Sequence, residues 1–177
     1  MAEFMPLVEP EELPEDLRRQ WDATEREGLR DFLRLMAHAP EQFRLFNAAY
    51  ASARFDNHLG VRLTELVRIA VAQTTRCPVC MAGRHGAAVS AGLTEELVGE
   101  IGGERRCMTE AEAAAVAFAQ RFATDHLSIT DEQTAALREH FDPQQVVELA
   151  LLCVFCLVGR FSMLAGLQEQ SCPVPAR

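Results

Sequence analysis

The fold is decided by the stretch LTELVRIAVAQTTRCPVCMAGRHGAAVSAGLTEEL, residues 63–97. Pro78 suits the first position of a helix, because its φ is fixed and its missing N–H is not needed there. Cys77 is therefore predicted to cap that helix, and Cys80 is predicted to lie in its first turn. Two cysteines three residues apart interconvert between dithiol and disulfide with little chain movement, so this stretch indicates redox chemistry.

Helical spacing of apolar residues and helix-start signals recur outward from this stretch along the whole chain. No run of alternating β-branched residues indicates a strand. The sequence predicts an all-α fold of about seven or eight helices, over residues 14–36, 40–54, 63–76, 78–91, 94–101, 109–124, 130–140 and 143–168. The predicted helix-start signals are Thr64, Thr94, Thr109 with Glu112, Thr130 with Gln133, and Asp142-Pro143, and the predicted ends include Gly92 and Gly102-Gly103.

The chain is expected to form one domain, residues 17–177, preceded by an extended arm, residues 1–16, that is acidic and rich in proline. Residues 63–97 form its core motif. A weak repeat relates this motif to residues 143–168, where Glu-Leu-Ala and Cys-Leu-Val-Gly-Arg occur at a different spacing. Chance and a decayed duplication both explain such an echo.

Charge and hydropathy exclude several classes of partner. Acidic residues outnumber basic ones by 26 to 17, which argues against binding to nucleic acid or to anionic membranes. The most apolar run, Val146–Leu167, is interrupted by Glu148 and Arg160, and the start of the chain resembles no targeting peptide. We therefore expect a cytoplasmic protein, in which a Cys-x-x-Cys pair is catalytic or binds metal and is not part of a disulfide framework.

The residues around the first cysteine pair are suited to thiol chemistry. Unpaired N–H groups at a helix start lower thiol pKa values and favour the nucleophilic thiolate of Cys77 or Cys80. Arg84, one turn after Cys80, is a candidate thiolate stabiliser. His85 is able to exchange a proton near neutral pH. Glu65, on the preceding helix, is a candidate acceptor of a thiol proton.

The remaining cysteines are interpreted differently. Cys153 and Cys156 have the same spacing but lie within an apolar helix without a cap or a nearby base, so they are predicted to be core residues. A zinc site joining both pairs is disfavoured by the long gap between them. Cys107 and Cys172 have no partner at informative spacing. No cofactor and no metal is predicted.

Three features together resemble a known family: Glu65, then Cys77-x-x-Cys80 after eleven intervening residues, and the Ala-Gly-Leu-Thr that ends at Thr94. They are similar to the core of the alkylhydroperoxidase D-like proteins, in the carboxymuconolactone decarboxylase superfamily. This resemblance implies an all-α helical bundle that assembles into dimers, trimers or hexamers. It also implies reduction of peroxides by the cysteine pair, which a dithiol-donor protein recycles.

The resemblance also implies a role for each residue. Cys80 would attack the peroxide and become a sulfenic acid, and Cys77 would resolve it to a disulfide. Glu65, with water and His85, would move the protons. The helix-start argument by itself would make Cys77 the stronger thiolate, so the order of the two cysteines is left open. The family pattern has a histidine where this chain has Arg84, which departs from the expected proton relay.

From these features we predict a thiol-dependent, peroxidase-type oxidoreductase that reduces small-molecule peroxides or partner disulfides. A homo-oligomer is expected, because apolar short helices present more hydrophobic surface than one small bundle covers. One alternative is an enzyme that processes a lactone or acid, as carboxymuconolactone decarboxylase does. The other is a non-catalytic interaction protein switched by the dithiol.

Overall fold

Helices follow one another along the whole described chain in a computed structural model, which describes residues 4–168. Short 3₁₀ turns occur at Pro10–Glu12, Glu100–Gly102 and His126–Ser128. The described residues contain no β-strand, which confirms the predicted all-α fold. The α-helices are α1 (Glu15–Ala23), α2 (Glu27–Met36), α3 (Pro40–Phe55), α4 (Val61–Thr75), α5 (Pro78–Met81), α6 (Gly86–Ser90), α7 (Glu95–Gly99), α8 (Glu110–Thr124), α9 (Asp131–His140), α10 (Pro143–Cys156) and α11 (Gly159–Leu164).

Helix α4 lies at the centre of the molecule. Every residue of α4 from Leu63 to Ala72 is buried, and α8 and α10 pack against it. Val67 and Val71 belong to an apolar cluster that α4 shares with α8, α9 and α10. The opposite side of α4 packs in a second cluster with residues of α6, α7 and α8. Because α4 is surrounded by other elements, its polar side chains are also enclosed.

The predicted helix starts are mostly confirmed. Capping boxes form at Thr109, Thr130 and Asp142, and the Thr94 hydroxyl accepts a hydrogen bond from the N–H of Leu97. Thr64 was wrongly predicted as a cap, because α4 already begins at Val61 and Thr64 is buried inside it. These starts are set by local hydrogen bonds, so a sequence pattern is enough to find them.

Three of the predicted helices are interrupted in the structure. The predicted helix 14–36 is broken at residues 24–26, the predicted helix 78–91 at residues 82–85, and the predicted helix 143–168 at residues 157–158. In the first, Arg26 lies between α1 and α2 and donates a hydrogen bond to the carbonyl of Val79. In the third, the turn after α10 brings Gly159 against the first cysteine pair. These helix breaks therefore coincide with contacts between segments far apart in the chain, which the local sequence pattern does not show.

The start of the described chain is non-helical as far as Glu9. The N–H of Val8 donates to the carbonyl of Arg34 at 3.4 Å, and Leu13 is buried. Helix α1 begins at Glu15, inside the arm predicted for residues 1–16. The described part of this arm is thus packed on α2 and is partly helical.

The segment Pro143–Leu164 is long and apolar enough, by length and composition, to cross a membrane, with a mean hydropathy of 2.1 over its most apolar window. This finding differs from the expectation that charged residues interrupt the run. Core helices of globular proteins meet the same criterion, and α10 packs against α3, α4 and α8. Within the described structure 33% of that window is buried, so one face of the segment packs and the rest stays exposed.

Candidate active site

The first cysteine pair occupies the start of α5. Cys77 is the N-cap residue, Pro78 is the first helical residue, and the Sγ of Cys77 accepts a hydrogen bond from the N–H of Cys80 at 3.3 Å. This confirms the cap predicted from the sequence. Cys77 is completely buried, whereas Cys80 is partly exposed and lines a cavity. Access from the cavity therefore leads to Cys80.

The two thiols differ in acidity. The pKa of Cys77 is lowered, because its sulfur accepts hydrogen bonds from the thiol of Cys80 and from backbone N–H groups, and because the Arg68 charge favours the thiolate; these effects outweigh burial. The pKa of Cys80 is raised by its hydrogen bond to Cys77 and by burial. When the pair has lost one proton, the negative charge therefore lies on the Cys77 sulfur and the remaining proton on the Cys80 sulfur.

An ion pair on α4 lies beneath the cysteine loop. Arg68 Nε donates to Glu65 Oε2, and Arg68 Nη2 donates to Glu65 Oε1, both at 2.8 Å. Arg54 Nη2 donates to Glu65 Oε2 at 3.0 Å. Burial would raise the pKa of Glu65, but the hydrogen bonds and charges of the two arginines hold it at about 2. A carboxylate held in this way is a poor acceptor for a thiol proton, contrary to the role predicted for it.

The same ion pair explains why the predicted helix 78–91 is broken. Arg68 donates to the carbonyls of Cys80, at 2.6 Å, and Gly83, at 2.8 Å. Glu65 Oε1 accepts the backbone N–H of His85 at 2.9 Å. Buried backbone groups need hydrogen-bond partners, and the ion pair provides them outside a helix. The loop between α5 and α6 is therefore built on Glu65 and Arg68.

Arg84 is directed to a different partner from the one predicted. Its Nε donates to Glu95 Oε1 at 2.9 Å, and its Nη1 donates to the carbonyl of Met81 at 2.6 Å. The arginine whose charge favours the thiolate of Cys77 is Arg68, which also opposes the rise in the pKa of Cys80. Arg68 was not among the predicted site residues, although its position three residues after Glu65 on a helix was a usable signal.

His85 lies at the N-cap of α6 with its ring against that of Phe55, at a centroid distance of 5.1 Å. Its Nδ1 is buried and has no hydrogen-bond partner within residues 4–168. His85 lines the same cavity as Cys80. The structure thus brings the predicted residues Cys77, Cys80 and His85 to one region, over the carboxylate of Glu65.

The cavity has a volume of about 280 Å³. Its wall combines apolar and cationic side chains with two thiols, those of Cys80 in α5 and Cys156 in α10. The OH of Tyr50 lies 4.0 Å from the Sγ of Cys156. The residues that line the cavity include Arg26, Leu29, Phe32, Tyr50, Arg54, Glu65, Arg68, Cys80, Arg84, His85, Cys156 and Val158.

Gly159, at the start of α11, closes the site on the side of the sulfurs. A Cβ at this position would lie 3.0 Å from Cys80 Sγ and 3.1 Å from Cys77 Sγ. Only glycine allows the backbone to approach the sulfurs this closely without displacement. No sequence pattern indicates this contact, because the turn that produces it interrupts a helix predicted to be continuous.

The other cysteines occupy less reactive surroundings. Cys153 and Cys156 are buried in the core of α10, and burial raises both of their pKa values. Cys107 is exposed, and Cys172 lies outside the described residues. Within the described part of the chain, no group of three or more His, Cys, Asp or Glu side chains is placed to hold a metal ion.

The fold and the site together define an all-α protein with a dithiol at a helix start. The sequence model of the carboxymuconolactone decarboxylase family matches residues 40–121. A peroxidase-related protein with an alkylhydroperoxidase AhpD core from Ralstonia eutropha JMP134 is 19% identical, with 94% of this chain and 92% of that chain covered and a TM-score of 0.74. Residues 40–121 thus match the carboxymuconolactone decarboxylase family, and the chain shares the fold of a protein with an alkylhydroperoxidase AhpD core, in agreement with the resemblance of residues 63–97.

Two further solved structures share the fold. A peroxidase-related protein from Silicibacter sp. TM1040 is 16% identical, with 94% of this chain and 90% of that chain covered and a TM-score of 0.74. A debrominase in complex with 2,3,4-tribromopyrrole is also 16% identical, with 93% and 90% covered and a TM-score of 0.71. No protein of curated function matches the sequence significantly.

Proposed function

We propose that the protein is a thiol-dependent oxidoreductase whose Cys77–Cys80 pair reduces peroxides or partner disulfides. The observation that carries this proposal is the unequal placement of the two thiols. The buried Cys77 sulfur accepts the N–H of Cys80 at 3.3 Å, while Cys80 lines the cavity. A nucleophile that meets the substrate and a protected thiol that resolves the product are the two parts such a cycle requires.

In the reduction of a peroxide, Cys80 is the attacking residue. The Cys80 thiol proton passes to the Cys77 thiolate as the Cys80 sulfur bonds to the terminal, hydrogen-bearing oxygen of the peroxide. The O–O bond breaks, and the alkoxide leaves and takes a proton from water or from His85. Cys80 is then a sulfenic acid. The Cys77 sulfur next attacks the Cys80 sulfur, the S–O bond breaks, and the leaving hydroxide takes the Cys77 proton and departs as water. The products are an alcohol, water and the Cys77–Cys80 disulfide.

The disulfide is returned to the dithiol by two electrons and two protons from a dithiol-donor protein, or from a small dithiol in the laboratory. Such a cycle needs a reducing compartment, so a cytoplasmic location is part of the proposal. With Glu65 held as a carboxylate at a pKa of about 2, its role here is to fix the loop and not to move a proton.

The proposal is tested by dithiothreitol consumption with tert-butyl hydroperoxide. We expect turnover in the wild type, loss to the background rate in Cys80→Ser, and a trapped sulfenic acid on Cys80 in Cys77→Ser, detected by dimedone labelling. Cys107→Ser is the matched control, because Cys107 is exposed and should leave turnover unchanged. Peroxide-independent turnover of a lactone acid in both cysteine variants would support the lactone-processing alternative. A reversible disulfide that changes binding without turnover would support the redox-switched alternative.

We also propose that the chain forms a homo-oligomer through the outer face of α10. Val147, Leu151 and Val154 are 57%, 48% and 49% exposed. Their spacing of four and three residues places them on one side of the helix. A row of exposed aliphatic side chains is suited to the same surface of a second copy, and light scattering of the purified protein measures the number of subunits.

A further inference from the structure

Arginines outnumber carboxylates in the wall of the cavity. Arg84 is paired with Glu95, and Arg26 is held by its own contacts, including the carbonyl of Val79. Arg54 and Arg68 remain, and both donate to Glu65. Two guanidinium groups thus share one carboxylate in the cavity wall, and the Cys77 thiolate, the other negative charge beside Arg68, is completely buried and does not line the cavity. An anion in the cavity would therefore meet a wall that is richer in cations than in carboxylates.

Arg54 and Arg68 differ in how their donors are used. Every nitrogen of Arg68 donates a hydrogen bond, to Glu65 or to the carbonyls of Cys80 and Gly83. In Arg54, Nη2 donates to Glu65, but Nε is buried and has no hydrogen-bond partner within residues 4–168. Buried donors are nearly always paired in native proteins, so a free one indicates a missing ligand or water.

The surroundings of Arg54 add a second free polar atom. The Arg54 guanidinium lies 4.9 Å from the ring centroid of Phe55, and the His85 ring lies 5.1 Å from the same ring. In the described chain His85 Nδ1 is also buried without a partner. Two unpartnered nitrogens are therefore found on side chains that contact one ring and line one cavity with Cys80.

From these observations we propose that the substrate reduced at Cys80 is a small organic hydroperoxide that carries a carboxylate, with the Arg54 guanidinium as its anchor and His85 as a second donor. The inference rests on the proposed function and adds the class of substrate. The cavity, at about 280 Å³, lies at the lower end of the range typical of small-molecule pockets. Leu29, Phe32 and Val158 provide apolar walls for the body of such an acid.

Two probes that differ by one carboxylate test this assignment: cumene hydroperoxide and its para-carboxylate derivative. We expect the wild type to reduce the carboxylate with a kcat/KM about ten- to a hundredfold higher, as hydrogen bonds to a charged group imply. Arg54→Gln should remove that preference, because the kcat/KM for the carboxylate should fall about tenfold or more further than the kcat/KM for cumene hydroperoxide. Arg54→Lys, which keeps the charge and loses Nε, should retain part of it.

The matched control is Arg19→Gln, because Arg19 is an exposed arginine of α1 outside the cavity, and it should keep the full preference. Equal kcat/KM values for the two peroxides in the wild type would overturn the anion site and leave the proposed function standing. An equal fall for both probes in Arg54→Gln would also overturn it, because that pattern indicates structural damage.

Binding of the non-reactive acid 4-isopropylbenzoate, measured by calorimetry, separates the two proposals. If neither peroxide is reduced but the acid binds to the wild type and not to Arg54→Gln, the proposed function fails and the anion site stands. If the acid does not bind to the wild type, the anion site is overturned whatever the peroxidase assay gives.

Discussion

The chain contains the spacing Cys-x-x-Cys twice, and the two pairs lie in opposite environments. The pKa of Cys77, which precedes α5, is lowered first by the hydrogen bond from the Cys80 thiol and then by backbone N–H groups at the helix start. Cys153 and Cys156 lie inside α10, where the N–H groups are used by the helix itself, and burial raises the pKa of Cys156 to about 11. The same spacing therefore gives a lowered thiol pKa at a helix start and raised thiol pKa values inside a buried helix.

The two pairs also differ in what supports them. Around Cys80 the backbone leaves helical geometry and depends on a buried ion pair for its hydrogen bonds. Around Cys153 the backbone is regular and is held by apolar packing. The first region is therefore sensitive to the loss of a charge, whereas the second is sensitive to the ionisation of a buried thiol.

The largest expected effect comes from Glu65→Gln, which removes the charge partner of Arg68 beneath the first pair. We expect the free energy of unfolding to fall by about 3–5 kcal/mol, because an uncompensated charge is left buried. Peroxidase turnover should fall with it, since the loop that carries Cys80 loses its support. Urea unfolding followed by circular dichroism measures the loss.

Glu95→Gln is the matched control, because Glu95 is exposed and its ion pair with Arg84 should contribute at most about 1 kcal/mol. The pH dependence gives a second readout. The Glu65 pKa is lowered from 4.5 to about 2, so its stabilisation is present above pH 4.5 and is lost as the pH falls towards 2. The difference in free energy of unfolding between wild type and Glu65→Gln should therefore become smaller as the pH falls from 4.5 towards 2. A constant gap would contradict the proposed role.

Gly159→Ala tests how closely the first pair is packed. The added Cβ would lie 3.0 Å from Cys80 Sγ, so we expect a loss of about 1–3 kcal/mol and a changed rate of Cys80 alkylation by iodoacetamide. Gly86→Ala is the control, because a Cβ there meets no atom within 4 Å. Equal stability and alkylation rates in the two variants would show that the sulfurs have room to move.

The smallest effect concerns the second pair in alkali. The Cys156 pKa is raised from 9.0 to about 11, so its contribution to stability is present below pH 9 and is lost as the pH rises through 11. We expect the stability advantage of wild type over Cys156→Ala to shrink by about 1–2 kcal/mol between pH 9 and pH 11. Chemical unfolding at a series of pH values measures this difference. If the advantage is unchanged by pH, the thiol is not buried as described.

The sequence by itself determined the helical character of the chain and most helix starts. Thr109, Thr130 and Asp142 are caps in the structure as they are in the pattern, because a cap is a hydrogen bond between residues three apart. The position of Cys77 before Pro78 was predictable for the same reason. Each of these features depends on a few neighbouring residues.

Only the tertiary structure decided the conformation and the contacts of the residues that follow Cys80. The loop after α5 forms because Arg68, on another helix, takes the carbonyls of Cys80 and Gly83. Arg84 consequently points to Glu95, and Gly159 reaches the sulfurs through a turn after α10. Such hydrogen bonds and close approaches join residues far apart in the chain. Their energies depend on packing, which no local pattern of residues contains.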